Sequence, residues 1–225
     1  MKINHRIVTT LAALALSACG GGAAPDSPIA SASATYRVTF HTDWTQAAFP
    51  TMFPADRHFS GLVGATHNNS VAFWEDDRLA SRGIQNMAER GQKTALLDEV
   101  AVAQQAGHAE SALSGGGIAA TETDVVLEFT ITQTHPLVTL VSMVAPSPDW
   151  FVGVSGIALF QNGEWASERR FDLEPWDAGS DGGVTFLSAD LPLTPRPPIS
   201  RIVTAPLSPS GRVTALGTFT FTRVP

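Results

Sequence analysis

Residues 137–173 read LVTLVSMVAPSPDWFVGVSGIALFQNGEWASERRFDL. It contains two largely apolar segments, residues 137–144 and 152–160, each of the length of a β-strand. The second segment leads into Asn162-Gly163, a dipeptide typical of tight hairpin turns, and the chain returns through residues 164–173. The stretch therefore predicts two core strands and a β-hairpin.

Further strands are predicted on both sides of this stretch. Residues 36–40 (YRVTF) alternate strictly between apolar and polar, and residues 125–131 are β-branched and mostly apolar. Residues 213–224 end in alternating Thr and Phe, whereas the prolines in residues 191–209 favour loop and edge structure. Many short strands with turns between them predict a mainly all-β fold, an antiparallel β-sandwich.

Two helical segments are expected among these strands. Residues 94–106 place Leu97, Val100, Ala101 and Gln104 on one face of a helix. A shorter helix over residues 80–90 is weakened by Gly83, since glycine is a poor helix former.

The first residues of the chain resemble the leader of a bacterial lipoprotein precursor. Lys2 and Arg6 precede a short apolar run, residues 7–16, which is too short to span a bilayer. Residues 16–19 (LSAC) resemble a lipobox, which implies cleavage before Cys19 and acylation of its thiol. We therefore expect a signal peptide over residues 1–18 and a membrane anchor at Cys19.

The lipidated cysteine is followed by a spacer and a single domain. Residues 19–34 are rich in Gly, Ala, Ser and Pro and favour a flexible linker, which leaves residues 35–225 for the domain. Cys19 is the single cysteine of the 225-residue chain. The domain therefore has no thiol for a disulfide, and a bound metal is one way to stabilise it instead.

The charge of the chain argues against a nucleic-acid partner. The formal net charge is −7, and loss of the leader with Lys2 and Arg6 makes it −9. An acidic surface without a basic stripe repels a phosphate backbone.

Two acidic segments are candidate metal-binding loops. Residues 175–183 (PWDAGSDGG) place Asp177 and Asp181 among three glycines, and residues 146–150 (PSPDW) place Asp149 between the two core strands. Calcium takes about six to eight oxygen ligands, and glycines let backbone carbonyls turn toward an ion. Because the same residue types are common in solvated turns, the residues alone leave both interpretations open.

Other candidate sites have weaker patterns. The segment Gly153-Val154-Ser155-Gly156 has its second glycine one residue too early for a nucleophile elbow. The histidines of the domain lack zinc-ligand spacing, and Trp150 and Trp176 are expected to pack the bases of the acidic loops rather than to form a carbohydrate platform.

Several segments together resemble the spondin N-terminal domain family. The similarity covers about residues 34–224 in a consistent order. Four separated matches make it specific: residues 58–67, 88–91, 146–156 and 172–186.

The resemblance implies a C2-like sandwich with a calcium ion held by loops at one end. It assigns Asp149, Asp177 and Asp181 as metal ligands, with backbone carbonyls or water completing the shell. This chain departs from the animal members in lacking cysteines within the domain, so the resemblance does not by itself imply their partners for this chain.

The expected function is a membrane-tethered, calcium-binding recognition or adhesion module without catalytic activity. Its partners would be the membrane, through the lipid anchor, and an unidentified protein or glycan in the bacterial cell envelope. Gly20 is not the Asp that resembles an inner-membrane retention signal, which favours the outer membrane. The alternatives are a metal-dependent envelope hydrolase and a purely structural envelope lipoprotein.

Overall fold

The computed structural model describes residues 30–208 and 211–225. The predicted signal peptide, Cys19 and most of the spacer lie outside these residues. Two helices are present, α1 (Arg82–Arg90) and α2 (Thr94–Gln105). The strands are β1 (Ser33–Thr42), β2 (His58–Phe59), β3 (Val63–His67), β4 (Ala109–Ser114), β5 (Asp124–Thr132), β6 (Leu137–Ala145), β7 (Trp150–Ala158), β8 (Phe160–Gln161), β9 (Glu164–Trp165), β10 (Glu168–Asp172), β11 (Trp176–Asp177), β12 (Ser200–Arg201) and β13 (Gly217–Val224).

Two antiparallel sheets form the sandwich that the sequence predicts. One sheet has the strand order β10-β13-β1-β5, and the other has the order β12-β11-β7-β6-β3-β4, with β2 also paired to β6. The hairpin β8-β9 turns at Asn162 and Gly163, both of which have positive φ. The mainly all-β fold class with short helices is thus confirmed.

The main core lies between the two sheets. Alternate residues of β1 (Tyr36, Val38 and Phe40) are completely buried there, together with Phe219 and Phe221 of β13. The strict alternation in residues 36–40 therefore corresponds to a strand with one buried face, as predicted.

A second apolar layer forms where the helices cover the outer face of the larger sheet. Val141 and Met143 of β6 point into this layer against Ile84 and Met87 of α1. Because β6 is covered on both faces, its sequence is almost continuously apolar rather than alternating.

The helices differ from the sequence prediction in their buried face. Leu96, Val100 and Ala103 are the buried residues of α2, and Leu97 is half-buried against the same apolar layer. The predicted face is therefore correct at Val100 and Leu97 and wrong at Gln104, which is exposed. Packing against α1 explains the difference: a Cβ atom on Gly83 would lie 2.7 Å from the Cα of Leu96. Gly83 thus permits a close helix crossing, and α1 forms over residues 82–90 despite it.

Strands β3 and β4 were not expected from the sequence. All five residues of β3 are buried, so its pattern does not alternate. Gly64 is needed within β3, because a Cβ atom there would lie 1.9 Å from the carbonyl oxygen of Thr139 in β6. At the C-terminus, the strand begins at Gly217 rather than at residue 213.

The chain enters the domain at the end of the sandwich opposite to its acidic loops. The Trp165 indole N–H donates to the carbonyl of Ser31 (2.7 Å), and the Gln133 amide donates to the same oxygen (3.0 Å). From Ser33, β1 runs ten residues, about 33 Å, to Thr42, beside the loops at the far end. Among the described residues, neither helix is long and apolar enough to cross a membrane.

Candidate metal centre

Strand pairing brings the two predicted acidic loops together. β11 pairs with β7 so that Asp177 lies opposite Trp150, directly after the loop that carries Asp149. The backbone N–H of Ala178 donates to the carbonyl of Asp149 (3.1 Å). Residues 146–149 and 177–183 are therefore adjacent.

Asp149 is the most deeply placed of the three predicted ligands. Its side chain is fully buried, and its Oδ2 atom accepts hydrogen bonds from the N–H groups of Ser180 (2.6 Å) and Asp181 (3.0 Å) and from the Ser180 hydroxyl (3.1 Å). The Oδ1 atom is also buried and has no hydrogen-bond partner among the described residues. A buried carboxylate oxygen without a partner is costly unless something else satisfies it.

Electrostatics at Asp149 disfavour its charged form. Burial raises the pKa of Asp149 to about 6, and repulsion from the Asp177 carboxylate adds to this effect. The three hydrogen bonds to Oδ2 act in the opposite direction without cancelling it. A cation beside Oδ1 would reverse the balance, because it favours the ionised carboxylate.

Asp177 is placed close enough to Asp149 for the two charges to interact. Its Oδ1 atom accepts the N–H of Gly179 (2.7 Å), which turns the chain sharply after β11. Burial raises the pKa of Asp177, and the nearby Asp181 carboxylate adds to the rise. Gly179 has φ +72°, and a Cβ atom there would lie 2.2 Å from the carbonyl oxygen of Pro197, so the turn requires glycine.

Asp181 links its own loop to the segment that follows it. Its Oδ1 atom accepts the N–H of Gly183 (2.7 Å), and its Oδ2 atom accepts the N–H of Leu191 (2.9 Å). The side chain is 7% exposed. Each oxygen accepts one hydrogen bond and keeps a further lone pair for a cation.

The donor set suits a hard cation such as calcium. It consists of carboxylate oxygens in a buried, mutually repelling arrangement, and one of these oxygens has no other partner. Within residues 30–208 and 211–225, the structure contains no group of three His, Cys, Asp or Glu side chains placed to hold a metal ion. Asp149, Asp177 and Asp181 are therefore not assembled into a complete three-carboxylate site, and a bound ion would also need backbone carbonyls or water.

A pocket of about 220 Å³ opens beside this centre. It is lined by Trp150, Asp177, Gly183, Val184 and the segment from Ser200 to Ala205. The Arg201 guanidinium at this pocket is not free, since it lies 3.1 Å from the Glu174 carboxylate and over the ring of Trp176.

Ser180 is a site residue that the sequence did not identify. Its hydroxyl and its N–H both hold Asp149, which makes it the main link between the two loops. The available signal was weak, because serine beside aspartate is common in turns of every kind.

The other candidate sites have structural roles. The Ser155 hydroxyl donates to the carbonyl of Trp74 (2.5 Å). His67 is buried and bonded to Thr139. All five tryptophans are at most 7% exposed, so none of them offers a flat surface to a sugar: Trp44, Trp74, Trp150, Trp165 and Trp176.

Comparisons with known proteins agree with this architecture. A model of the Spondin_N family matches residues 34–212. Spondin-2 from Homo sapiens is 35% identical over 185 residues, which cover 80% of this chain and 55% of the relative. Spondin-1 from Rattus norvegicus is 31% identical over 183 residues, which cover 76% of this chain and 22% of the relative. The chain thus spans about half the length of Spondin-2 and about a fifth of Spondin-1.

Proposed function

The chain belongs to the spondin N-terminal domain family, and on that premise we propose that it is a calcium-binding recognition module of the bacterial cell envelope. The module would act by binding a protein or glycan rather than by catalysis. Its ion site would be the carboxylate centre of Asp149, Asp177 and Asp181.

The observation that carries the calcium proposal is the buried Oδ1 atom of Asp149. This oxygen lacks a hydrogen-bond partner among the described residues, and the nearby Asp177 carboxylate repels the Asp149 carboxylate. Calcium would supply positive charge at this point and relieve both penalties. Since three carboxylates come from two separate loops, the ion would also hold these loops together.

Calcium is expected to raise the melting temperature of the protein, and Asp177→Ala to abolish the rise. Calcium at 100 times its dissociation constant adds about 2.7 kcal/mol to the free energy of unfolding. For a domain of this size, that free energy corresponds to roughly 5–10 °C. Thermal unfolding followed by circular dichroism, in chelator and in calcium, measures the effect.

A matched control for this experiment is Asp98→Ala on the exposed side of α2. It also removes one carboxylate, yet it should keep the full response to calcium. An unchanged melting curve of the parent protein in chelator and in calcium would contradict the proposal.

The tether is a separate part of the proposal and rests on the leader and Cys19. Cells that express the chain should incorporate a labelled fatty acid into it, whereas cells that express Cys19→Ser should not. Equal labelling of both proteins would refute attachment at Cys19.

A further inference from the structure

Half of the strongly exposed large apolar side chains of the described residues lie in one short segment of the chain. Of eight large hydrophobic residues that are strongly exposed in the described chain, four fall between residues 184 and 203. They are Val184 (73% exposed), Leu187 (80%), Leu191 (56%) and Val203 (51%). The other four, Met52, Leu79, Val102 and Val126, are spread over separate segments. Single exposed hydrophobics need no explanation, but a cluster of them marks an interaction surface.

These four residues, which we name the apolar rim, lie in segments next to the carboxylate centre. Val184 and Val203 line the same pocket as Asp177. Leu191 is held by its N–H bond to Asp181, and Leu187 lies in the turn that the Ser188 hydroxyl closes by accepting the N–H groups of Val184 and Thr185. The apolar rim is therefore built on the loops that would hold the ion.

The charge around the apolar rim is negative. Residues 171–203, which include all four rim residues, contain two arginines, Arg196 and Arg201, and five carboxylates: Asp172, Glu174, Asp177, Asp181 and Asp190. Arg201 pairs with Glu174. The net charge of this segment is −3, and a bound calcium ion would reduce it to −1.

We propose that the apolar rim is the contact surface of the module, and that its partner is a protein surface on which aliphatic side chains alternate with Lys or Arg. This inference rests on the proposed recognition function and identifies the part of the molecule that performs it. Aliphatic groups of the partner would cover the four exposed side chains, and its cations would face the remaining carboxylates. The rim lies at the end of the sandwich remote from the Ser31 entry point, so a tether there does not obstruct it.

The experiment uses two synthetic amphipathic helical peptides with the same leucine positions, one with lysine and one with glutamate at the polar positions. Binding of the full chain to each peptide is measured by surface plasmon resonance in calcium. We expect the Leu/Lys peptide to bind at least tenfold more tightly than the Leu/Glu peptide. The double variant Leu187→Ser/Leu191→Ser should lose at least tenfold in affinity, because both leucines would lie under the partner.

The matched control is Val102→Ser, which removes a strongly exposed aliphatic side chain (67%) from α2, away from the rim, and should bind like the parent. Equal affinity of the double variant and the parent would overturn the inference. So would a preference of the parent for vesicles of phosphatidylglycerol over the Leu/Lys peptide, since the partner would then be a bilayer.

If the double variant loses peptide binding but keeps its melting response to calcium, the apolar rim is supported separately from the ion site. If calcium leaves the parent unchanged while the rim variants still lose binding, the ion site fails and the rim stands.

Discussion

Asp149→Asn is expected to make the calcium-free protein more stable at pH 7, by up to about 3 kcal/mol. The buried Asp149 carboxylate is ionised at this pH although its pKa is raised to about 6. Asparagine keeps the oxygen that accepts from Ser180 and Asp181, removes the repulsion with Asp177, and buries no charge. The same change should eliminate the stabilisation by calcium, because a carboxylate ligand is lost.

The stability difference between Asp149→Asn and its parent should also depend on pH, because the Asp149 carboxyl titrates. A carboxyl group whose pKa is higher in the folded state than its ordinary value of 3.8 stabilises the fold fully below pH 3.8, and this contribution is lost as the pH rises through about 6. The advantage of Asp149→Asn should therefore grow between pH 4 and pH 7. Asp177 contributes to the same difference, because its carboxylate interacts with that of Asp149.

Chemical denaturation in chelator at several pH values measures this difference directly. Asp149→Ala serves as the contrasting variant, because it leaves the two N–H donors and the Ser180 hydroxyl without an acceptor and should destabilise the protein. An Asp149→Asn protein that is less stable than its parent in chelator at pH 7 would show that the ionised carboxylate is not strained.

Phe186→Ala is expected to lower the free energy of unfolding by about 3–5 kcal/mol, since it empties a buried aromatic site. Phe186 is 4% exposed and packs between Trp44 (ring centroids 5.5 Å apart) and Trp150 (5.4 Å). It is the main apolar contact that attaches the turn with Val184 and Leu187 to the core between the sheets. Its loss should therefore also weaken binding at the apolar rim.

The neighbouring residue is a natural control for Phe186. Leu187 is 80% exposed, and Leu187→Ala should change the stability by less than about 0.5 kcal/mol. Urea denaturation of both variants tests the contrast. Similar losses for the two variants would mean that the turn is packed differently from the arrangement described above.

The strands could be predicted where apolar residues follow a clear pattern along the sequence. Strands β1 and β13 alternate because each has one buried face, and β6 is almost continuously apolar because both its faces are covered. β3 has no such pattern, because it is five residues long and entirely buried. It needs glycine at position 64 because the backbone of β6 lies too close for a side chain there. The buried face of α2 is shifted from the predicted one toward Leu96 and Ala103, because α2 also packs against α1 at Gly83.

The candidate site was predictable as a set of aspartates but not as an arrangement. The residues and the family resemblance together indicated Asp149, Asp177 and Asp181. Their division of roles depends on hydrogen bonds across the loops: three donors on one oxygen of Asp149, none from described residues on the other, and one backbone donor on each oxygen of Asp181. Neither these bonds nor the role of Ser180 follows from spacing along the chain.

The central position of β1 has a mechanical consequence. β1 is bonded along its length to β13 through eight residue pairs and to β5 through nine. Tension between the chain entering at Ser33 and a partner held at the loops would run parallel to this strand. Because the hydrogen bonds of an antiparallel pair lie across the strand axis, such a pull loads them simultaneously in shear and does not unzip them in turn. If the proposed tether and partner pull on the two ends of the domain, these two ladders should resist unfolding more than strands that are unzipped one pair at a time.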